Sequence, residues 1–441
     1  IARTQDKIIV IFQFNLLKIF KELNTDFGII SEGTSFGEAM TMLEEKGVSV
    51  NIGSFLGAAT TRILEVGYKN RQATPSEMER MRGHVENSMK EGAMGIGSSL
   101  IYAPGDYAST EELTELSKIA SEYGGMYISH LRSEGTNLLE ALEELISISR
   151  NANIPAEVYH LKASREPNWS KLDDVIKRIE EVRKEGLKIT ADIYTYNASS
   201  TGLTGVIPTW VQEGGHRAWI NRMKDPEVRP RLLADIREQL DEQPPEGILL
   251  VGFKTSKMSR KYLAKTVAEA AAMRGQTPEE AIVDMVIEDD HRIQCIYFSM
   301  SEDNIRKKIQ LPWVSFCSDA GSYSDISKKF RTHPRAFGSF IRVLGKYSRE
   351  EGLFPLEEGI RRLTQLPATN LNIDSIGMLK ENYFAVQVPC TYYETQCLEH
   401  PDYNSIIQDS QRIYNEYINQ NVTCYYDKNN LNTTEIFLEN D

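Results

Sequence analysis

Cysteine is scarce in this chain. Its 441 residues contain five, Cys295, Cys317, Cys390, Cys397 and Cys424, with no CxxC pair among them. That excludes a zinc knuckle and a disulfide framework and points to a reducing, cytoplasmic compartment. Long apolar runs are also lacking: none reaches the roughly 20 residues that a membrane-spanning helix needs. Positive charge is in deficit, with 50 Lys and Arg against 63 Asp and Glu and a net charge of −13. Nucleic acid and anionic membrane surfaces would repel such a chain on average, whereas a small substrate could still find a local basic pocket. No GxGxxG or GxxxxGK[ST] follows a strand-like run, so a nucleotide-binding fold loses its main support. There is no internal repeat. The chain starts Ile1-Ala2-Arg3-Thr4 without Met, and the apolar-rich stretch from Ile8 to Phe20 lacks a small-residue cleavage site. It reads as no signal peptide, with room for residues upstream.

What is present is a regular alternation between Ser35 and Asn370. β-rich runs occur at Val48–Leu56, Met94–Leu100, Met126–Arg132, Ala156–Lys162, Lys188–Tyr196, Ile248–Phe253, Ile293–Met300 and Val314–Asp319. Between them lie amphipathic, charged stretches such as Pro75–Glu91, Thr110–Tyr123, Asn137–Asn151, Lys171–Glu185 and Pro278–Glu288. Several open on helix-start signals, for example Thr277-Pro278-Glu279-Glu280. Strands alternating with helices of this size imply βαβ units and a mostly parallel sheet, hence an α/β fold.

Barrel enzymes place their chemistry at the C-terminal ends of strands. Three polar residues end strand-like runs here: His130, His160 and Asp319. A neutral imidazole is a good zinc ligand, and a carboxylate beside a metal-bound water can take its proton. Two His and one Asp on separate strands are what a hydrolytic metal site needs. Any single His after a strand is more often a hydrogen-bonded structural residue, so it is the coincidence of three that carries weight. His84, His216 and His291 read as surface residues. Cations lie close by in sequence: Arg132 (with Glu134) after His130, Lys162 after His160, and Arg335 in His333-Pro334-Arg335. A substrate with a free carboxylate suits such groups. For Arg132 ordinary ion pairing is the favoured reading.

A series of segments resembles the N-acyl-D-amino-acid deacylase family of the amidohydrolase superfamily. They are Gly92–Gly105, Tyr127-Ile128-Ser129-His130-Leu131-Arg132-Ser133-Glu134-Gly135, His160-Leu161-Lys162, Asp192-Ile193-Tyr194-Thr195-Tyr196, Tyr297–Glu302, Pro312-Trp313-Val314, Ser318-Asp319 and His333-Pro334-Arg335. They run in family order over about Ser35 to Ala385. The resemblance implies a zinc-dependent TIM barrel that hydrolyses the amide bond of N-acyl-D-amino acids to a carboxylate and a D-amino acid. It makes His130 and His160 metal ligands for Zn2+ and Asp319 the catalytic residue that activates water. Lys162, Tyr194 and Arg335 become substrate-binding groups, with Tyr196 competing for the role of Tyr194 because both point the same way along a strand.

The chain also departs from the family. The His-x-His pair that ends the family's first strand and the bridging cysteine of its second have no counterpart: no His precedes His84 and no Cys precedes Cys295. A barrel incomplete at the N-terminus, cut short or shifted in frame, is the expectation these departures raise. It divides the chain into an atypical segment 1–34, the barrel 35–374, a remnant of C-terminal β-structure 375–388 and an atypical, disorder-prone tail 389–441. Two rivals stand beside the deacylase reading: an inactive or truncated remnant of such an enzyme, and a cyclic-amide hydrolase of the dihydroorotase or hydantoinase type. Neither acyl and side-chain specificity nor oligomeric state is legible.

Overall fold

The computed structural model describes residues 8–11, 35–47, 51–321, 332–373 and 376–378. The expected tail 389–441, and the N-terminal segment apart from Ile8–Ile11, lie outside the described residues. In chain order the elements are β1 (Ile8–Ile11), α1 (Phe36–Lys46), β2 (Asn51–Ser54), β3 (Leu56–Gly57), α2 (Ala58–Glu65), α3 (Pro75–Lys90), β4 (Gly95–Ser99), α4 (Thr110–Glu122), β5 (Met126–His130), α5 (Leu138–Ala152), β6 (Ala156–Val158), α6 (Lys171–Lys184), β7 (Ile189–Ile193), β8 (Ser199–Gly202), α7 (His216–Lys224), α8 (Arg229–Glu242), β9 (Ile248–Gly252), α9 (Ser256–Tyr262), α10 (Val267–Arg274), α11 (Pro278–Asp289), β10 (Gln294–Tyr297), α12 (Glu302–Ile309), β11 (Val314–Phe316), α13 (Arg335–Arg342), α14 (Leu356–Leu363) and α15 (Gln365–Asn370). No helix among them is long and apolar enough to cross a membrane.

Local sequence explains the helices. At α3 the Thr74 hydroxyl accepts from the Glu77 amide while the Glu77 carboxylate accepts from the Thr74 amide, and Pro75 occupies the first turn, where no amide donor is missed. At α11 Thr277 and Glu280 repeat that reciprocal cap. In α5 the residues Leu138, Ala141, Leu142, Leu145, Ile146 and Ser149 recur every three or four positions and are buried, so one stripe faces the sheet.

Six strands pair in parallel in the order β3-β4-β5-β6-β7-β11. Side chains alternate across it. Tyr127, Ala156, Val158, Ile189, Ala191, Ile193, Val314 and Phe316 join the main core under the helices. The opposite face carries Met126, Ile128 and His130 on β5, Glu157 on β6, and Thr190 and Asp192 on β7, with Tyr194 one step past its end. Sheet and helices alternate as expected of a barrel-type α/β fold. Among the described residues β3 and β11 are the sheet's edges and the circle is not closed. β1 pairs in parallel with β2, Ile8 opposite Asn51.

One expectation is corrected. Ile248–Phe253 and Ile293–Met300, read as barrel strands, form β9 and β10 of a separate antiparallel sheet ordered β8-β10-β9. A second core packs beneath it, including Leu232, Ile236, Ile248, Leu250, Val283 and Cys295 with Trp219 from α7. Buried on one side by that helical cluster, these runs have the same apolar content as barrel strands, so composition could not separate them.

Candidate metal and catalytic centre

The centre lies where β5, β6, β7 and β11 end. His130 is the last residue of β5; its carbonyl accepts from the Leu100 amide (3.1 Å), and its ring packs 4.4 Å from that of His160, nearly edge-on at 82°. Its Nε2 is buried with no hydrogen-bond partner among the described residues and lies 3.6 Å from Glu134 Oε1. His160 follows β6 in a left-handed conformation (φ 39°) that costs a residue with a Cβ. Two bonds from Asp192 hold it there: the His160 amide donates to Asp192 Oδ1, and the Leu161 amide donates to the Asp192 carbonyl (2.8 Å). Burial pushes both imidazoles toward the neutral form, that of His130 to about 3.

Glu134, on the loop after β5, completes a cluster in which one donor atom each from His130, Glu134 and His160 lies within 4.8 Å of the others. Burial acts to raise its carboxyl, but Lys162, His130 and His160 together hold it well below the usual glutamate range. The sequence reading noted Glu134 only as a neighbour of His130; the missed signal is the four-residue spacing, which the short loop folds back onto the imidazole. Two neutral imidazoles and an anionic carboxylate, with one buried ring nitrogen unpartnered among the described residues, are a donor set that suits a divalent cation.

Lys162 is 4% exposed, and its ammonium donates to Glu134 Oε1 and to His160 Nδ1, each at 2.6 Å. Asp319 lies past the end of β11, again left-handed (φ 47°). Its Oδ2 sits 2.5 Å from Arg335 Nη1. Burial opposes its ionisation, yet Arg335, His160, Lys162 and His130 hold the carboxyl below the ordinary value, which places those groups in one electrostatic neighbourhood. Arg335 stacks 4.7 Å from the Tyr194 ring centre and donates to the Ser200 carbonyl (3.1 Å). The Tyr194 hydroxyl is buried with no hydrogen-bond partner among the described residues, and burial pushes it well above the usual tyrosine range. Tyr196 instead packs on Arg342 at 4.6 Å and is less buried than Tyr194.

The structure therefore brings His130, His160, Lys162, Tyr194, Asp319 and Arg335 to one mouth. His333 was read only as part of a motif. Its Nδ1 accepts from the Arg335 amide (3.0 Å) and its Nε2 donates to the Ala198 carbonyl (3.0 Å), which holds the backbone that aims Arg335. Arg132 makes a bidentate pair with Glu144 at 2.8 and 2.9 Å, the structural role expected of it. His84 and His216 pair with Glu65 and Asp290 away from the centre.

No protein-family model matches the chain. A D-aminoacylase of Alcaligenes xylosoxydans xylosoxydans is 27% identical over 384 residues, which are 85% of this chain and 69% of that protein. The crystal structure of D-aminoacylase, described as defining a novel subset of amidohydrolases, superposes with a TM-score of 0.64 at 27% identity, covering 80% of this chain and 64% of that one. The N-acyl-D-glutamate deacylase of Bordetella bronchiseptica, solved with zinc and a phosphonate mimic of the reaction's tetrahedral intermediate, superposes with a TM-score of 0.67 at 25% identity, covering 82% and 66%. The chain thus spans about two thirds of the length of these relatives. In sequence and in fold alike it is similar to the D-aminoacylases and their fellow N-acyl-D-amino-acid deacylases, amidohydrolases of the barrel type.

Proposed function

We propose that the chain hydrolyses the amide bond of N-acyl-D-amino acids with the aid of a zinc ion, giving a carboxylate and a D-amino acid. The observation that carries this reading is the meeting of His130, whose buried Nε2 has no partner among the described residues, with His160 and the ionised Asp319 at one strand-end mouth. The relative solved with zinc and an intermediate mimic supplies the metal and the reaction class. His130 and His160 would hold the ion, which when bound supplies Lewis acidity toward the amide carbonyl and a lowered pKa for water.

The remaining roles belong to the chain. Asp319 is anionic at neutral pH and so can take the proton of the attacking water and later give it to the leaving amine. Arg335 offers a planar fork to the substrate carboxylate, exchanging part of its pairing with Asp319. Lys162 and Tyr194 face the same mouth and are placed to polarise or orient the amide. We assign the barrel to 35–374, with 1–34, 375–388 and 389–441 as separate segments. A cytoplasmic setting is in keeping with the free, buried thiols of Cys295 and Cys317.

The test is amine release from N-acetyl-D-amino acids by the purified chain, with bound metal measured in parallel. Asp319→Asn is expected to lower turnover about 100-fold or more while metal content stays near the wild-type level. Parallel loss of metal would make Asp319 a structural ligand instead. Well under about one zinc per chain, with no activity gained on adding zinc, would favour an inactive remnant.

A further inference from the structure

Lys162 occupies an unusual position for a group assigned to substrate. Its ammonium is bonded at 2.6 Å to Oε1 of Glu134 and at 2.6 Å to Nδ1 of His160, so it touches two of the three residues of the cluster, and that Nδ1 lies 3.2 Å from the same Glu134 oxygen. The third residue, His130, has its Nε2 3.6 Å from the same Glu134 oxygen and without a hydrogen-bond partner among the described residues. An ammonium and a divalent cation place the same demand on such atoms. A lone pair on Nδ1 that accepts an N–H is not available to a metal, and two cations crowded onto one carboxylate oxygen repel each other. His130 and His160 alone also leave a catalytic metal short of the three protein ligands it normally keeps, and a pair of imidazoles with one glutamate is a recurrent way to reach that number.

We propose that Glu134 is the third protein ligand of the centre, and that the Lys162 ammonium and the metal exclude one another there. This rests on the reading of His130 and His160 as ligands and deepens it. Bonded to Glu134 and His160, Lys162 holds the two side chains together. On loading, the ammonium leaves them, and its long side chain, 5.7 Å from the Tyr194 ring centre, becomes free to meet a substrate oxygen. Metal binding and the readiness of the substrate cation are thereby one event.

The test is titration of Zn2+ into the metal-free chain by calorimetry against a competing chelator, with the visible spectrum of the Co2+-loaded protein as a second readout. Circular dichroism checks that each variant is folded. Glu134→Gln keeps size and hydrogen bonding but removes the charge. It is expected to weaken Zn2+ binding at least about tenfold, the scale seen even for outer partners of metal sites, and to change the Co2+ spectrum. Lys162→Met removes the competing cation. If the lysine-out state is a minor one, apparent affinity rises by the inverse of its population, and an increase of about tenfold is expected. Should Lys162→Met fail to fold, Lys162→Gln, which keeps a donor without the charge, takes its place. Zinc affinity unchanged in Glu134→Gln, or unchanged or weaker in the Lys162 variant, overturns the proposal. Zinc bound by the wild type, lost in His130→Ala but indifferent to both other changes, would sink this inference and leave the hydrolase reading standing. Metal binding as expected with no deacylation overturns the hydrolase reading alone. A wild-type chain that binds no zinc overturns both.

Discussion

His160 and Asp319 share a feature that ordinary strand ends do not have: both are non-glycine residues with φ above zero, at 39° and 47°. The conformation turns each side chain back toward the mouth, and it persists because neighbours hold it, Asp192 for His160 and Arg335 for Asp319. Behind His160 lies a buried lysine. Lys308 is 3% exposed; its ammonium donates to the Leu161 carbonyl at 2.6 Å, and burial lowers its pKa from 10.5 to about 7. The unfolded chain therefore binds more protons than the folded one between those two values, so this lysine's destabilising effect is complete below about pH 7 and fades as pH rises toward 10.5. Lys308→Met leaves the Leu161 carbonyl without its donor at every pH, but abolishes the slope. The urea midpoint of the wild type is expected to gain on that of Lys308→Met as pH is raised through this window. Parallel midpoints would show that Lys308 stays charged in the fold.

At the scale of elements, the β4–β5 pairing positions the site, because Ser99 lies opposite His130 and the Leu100 amide bonds its carbonyl. That pairing starts at Gly95, opposite Met126, where φ is 139° and a Cβ would fall 1.9 Å from the Met126 carbonyl oxygen. No rotamer relieves a clash with backbone. Gly95→Ala is expected to cost about 3 kcal/mol or more in chemical denaturation and to disturb the His130 end of β5. A variant as stable as wild type would mean that the two strands can part at this point without loss. The same scale explains the loop after β5. The Ser164 amide donates to the Glu134 carbonyl at 2.7 Å, tying that loop to the one after β6 and bringing Glu134 over both histidines.

Across the whole molecule, two hydrophobic cores divide the described residues: one beneath the parallel sheet, the other beneath β8-β10-β9. Polar contacts join the two regions, among them Tyr102 with Thr201 (2.8 Å), Thr136 with Glu242 (2.7 Å), and Trp169 donating to the Ser299 carbonyl (3.0 Å), beside a small apolar cluster of Tyr194, Met300 and Cys317. Two separate cores open independently more readily than one continuous core. Leu250, fully buried in β9, is the place to test this. Leu250→Ala should destabilise the second core by about 2–5 kcal/mol. Hydrogen exchange followed by mass spectrometry should show faster exchange over β8, β9 and β10 while β4 to β7 keep their protection. Equal acceleration everywhere would mean that the two cores unfold as one.

Much of this was legible from residue order. Caps such as Thr277-Pro278-Glu279-Glu280 and the apolar stripe of α5 depend on neighbours within one or two turns, so local chemistry settles them. His130, His160 and Asp319 were findable because barrel chemistry gathers at strand ends and each closes an apolar run. Other features needed the folded chain. The apolar runs around Leu250 and Cys295 look like barrel strands until their partners are known, since hydrogen-bond pairing across many residues, and not composition, decides parallel from antiparallel. Glu134, Asp192 and His333 lie in segments the sequence already singles out, but they act through contacts made across strands and loops, so spacing along the chain does not assign their roles. What the sequence determined by itself was which segments become helix or strand and which side chains can bind a cation or move a proton, because these follow from periodicity and functional groups. Only the tertiary structure decided that Lys162 lies on Glu134 and His160, and that Asp319 faces Arg335, because burial and the low local dielectric make those charges choose partners from distant strands.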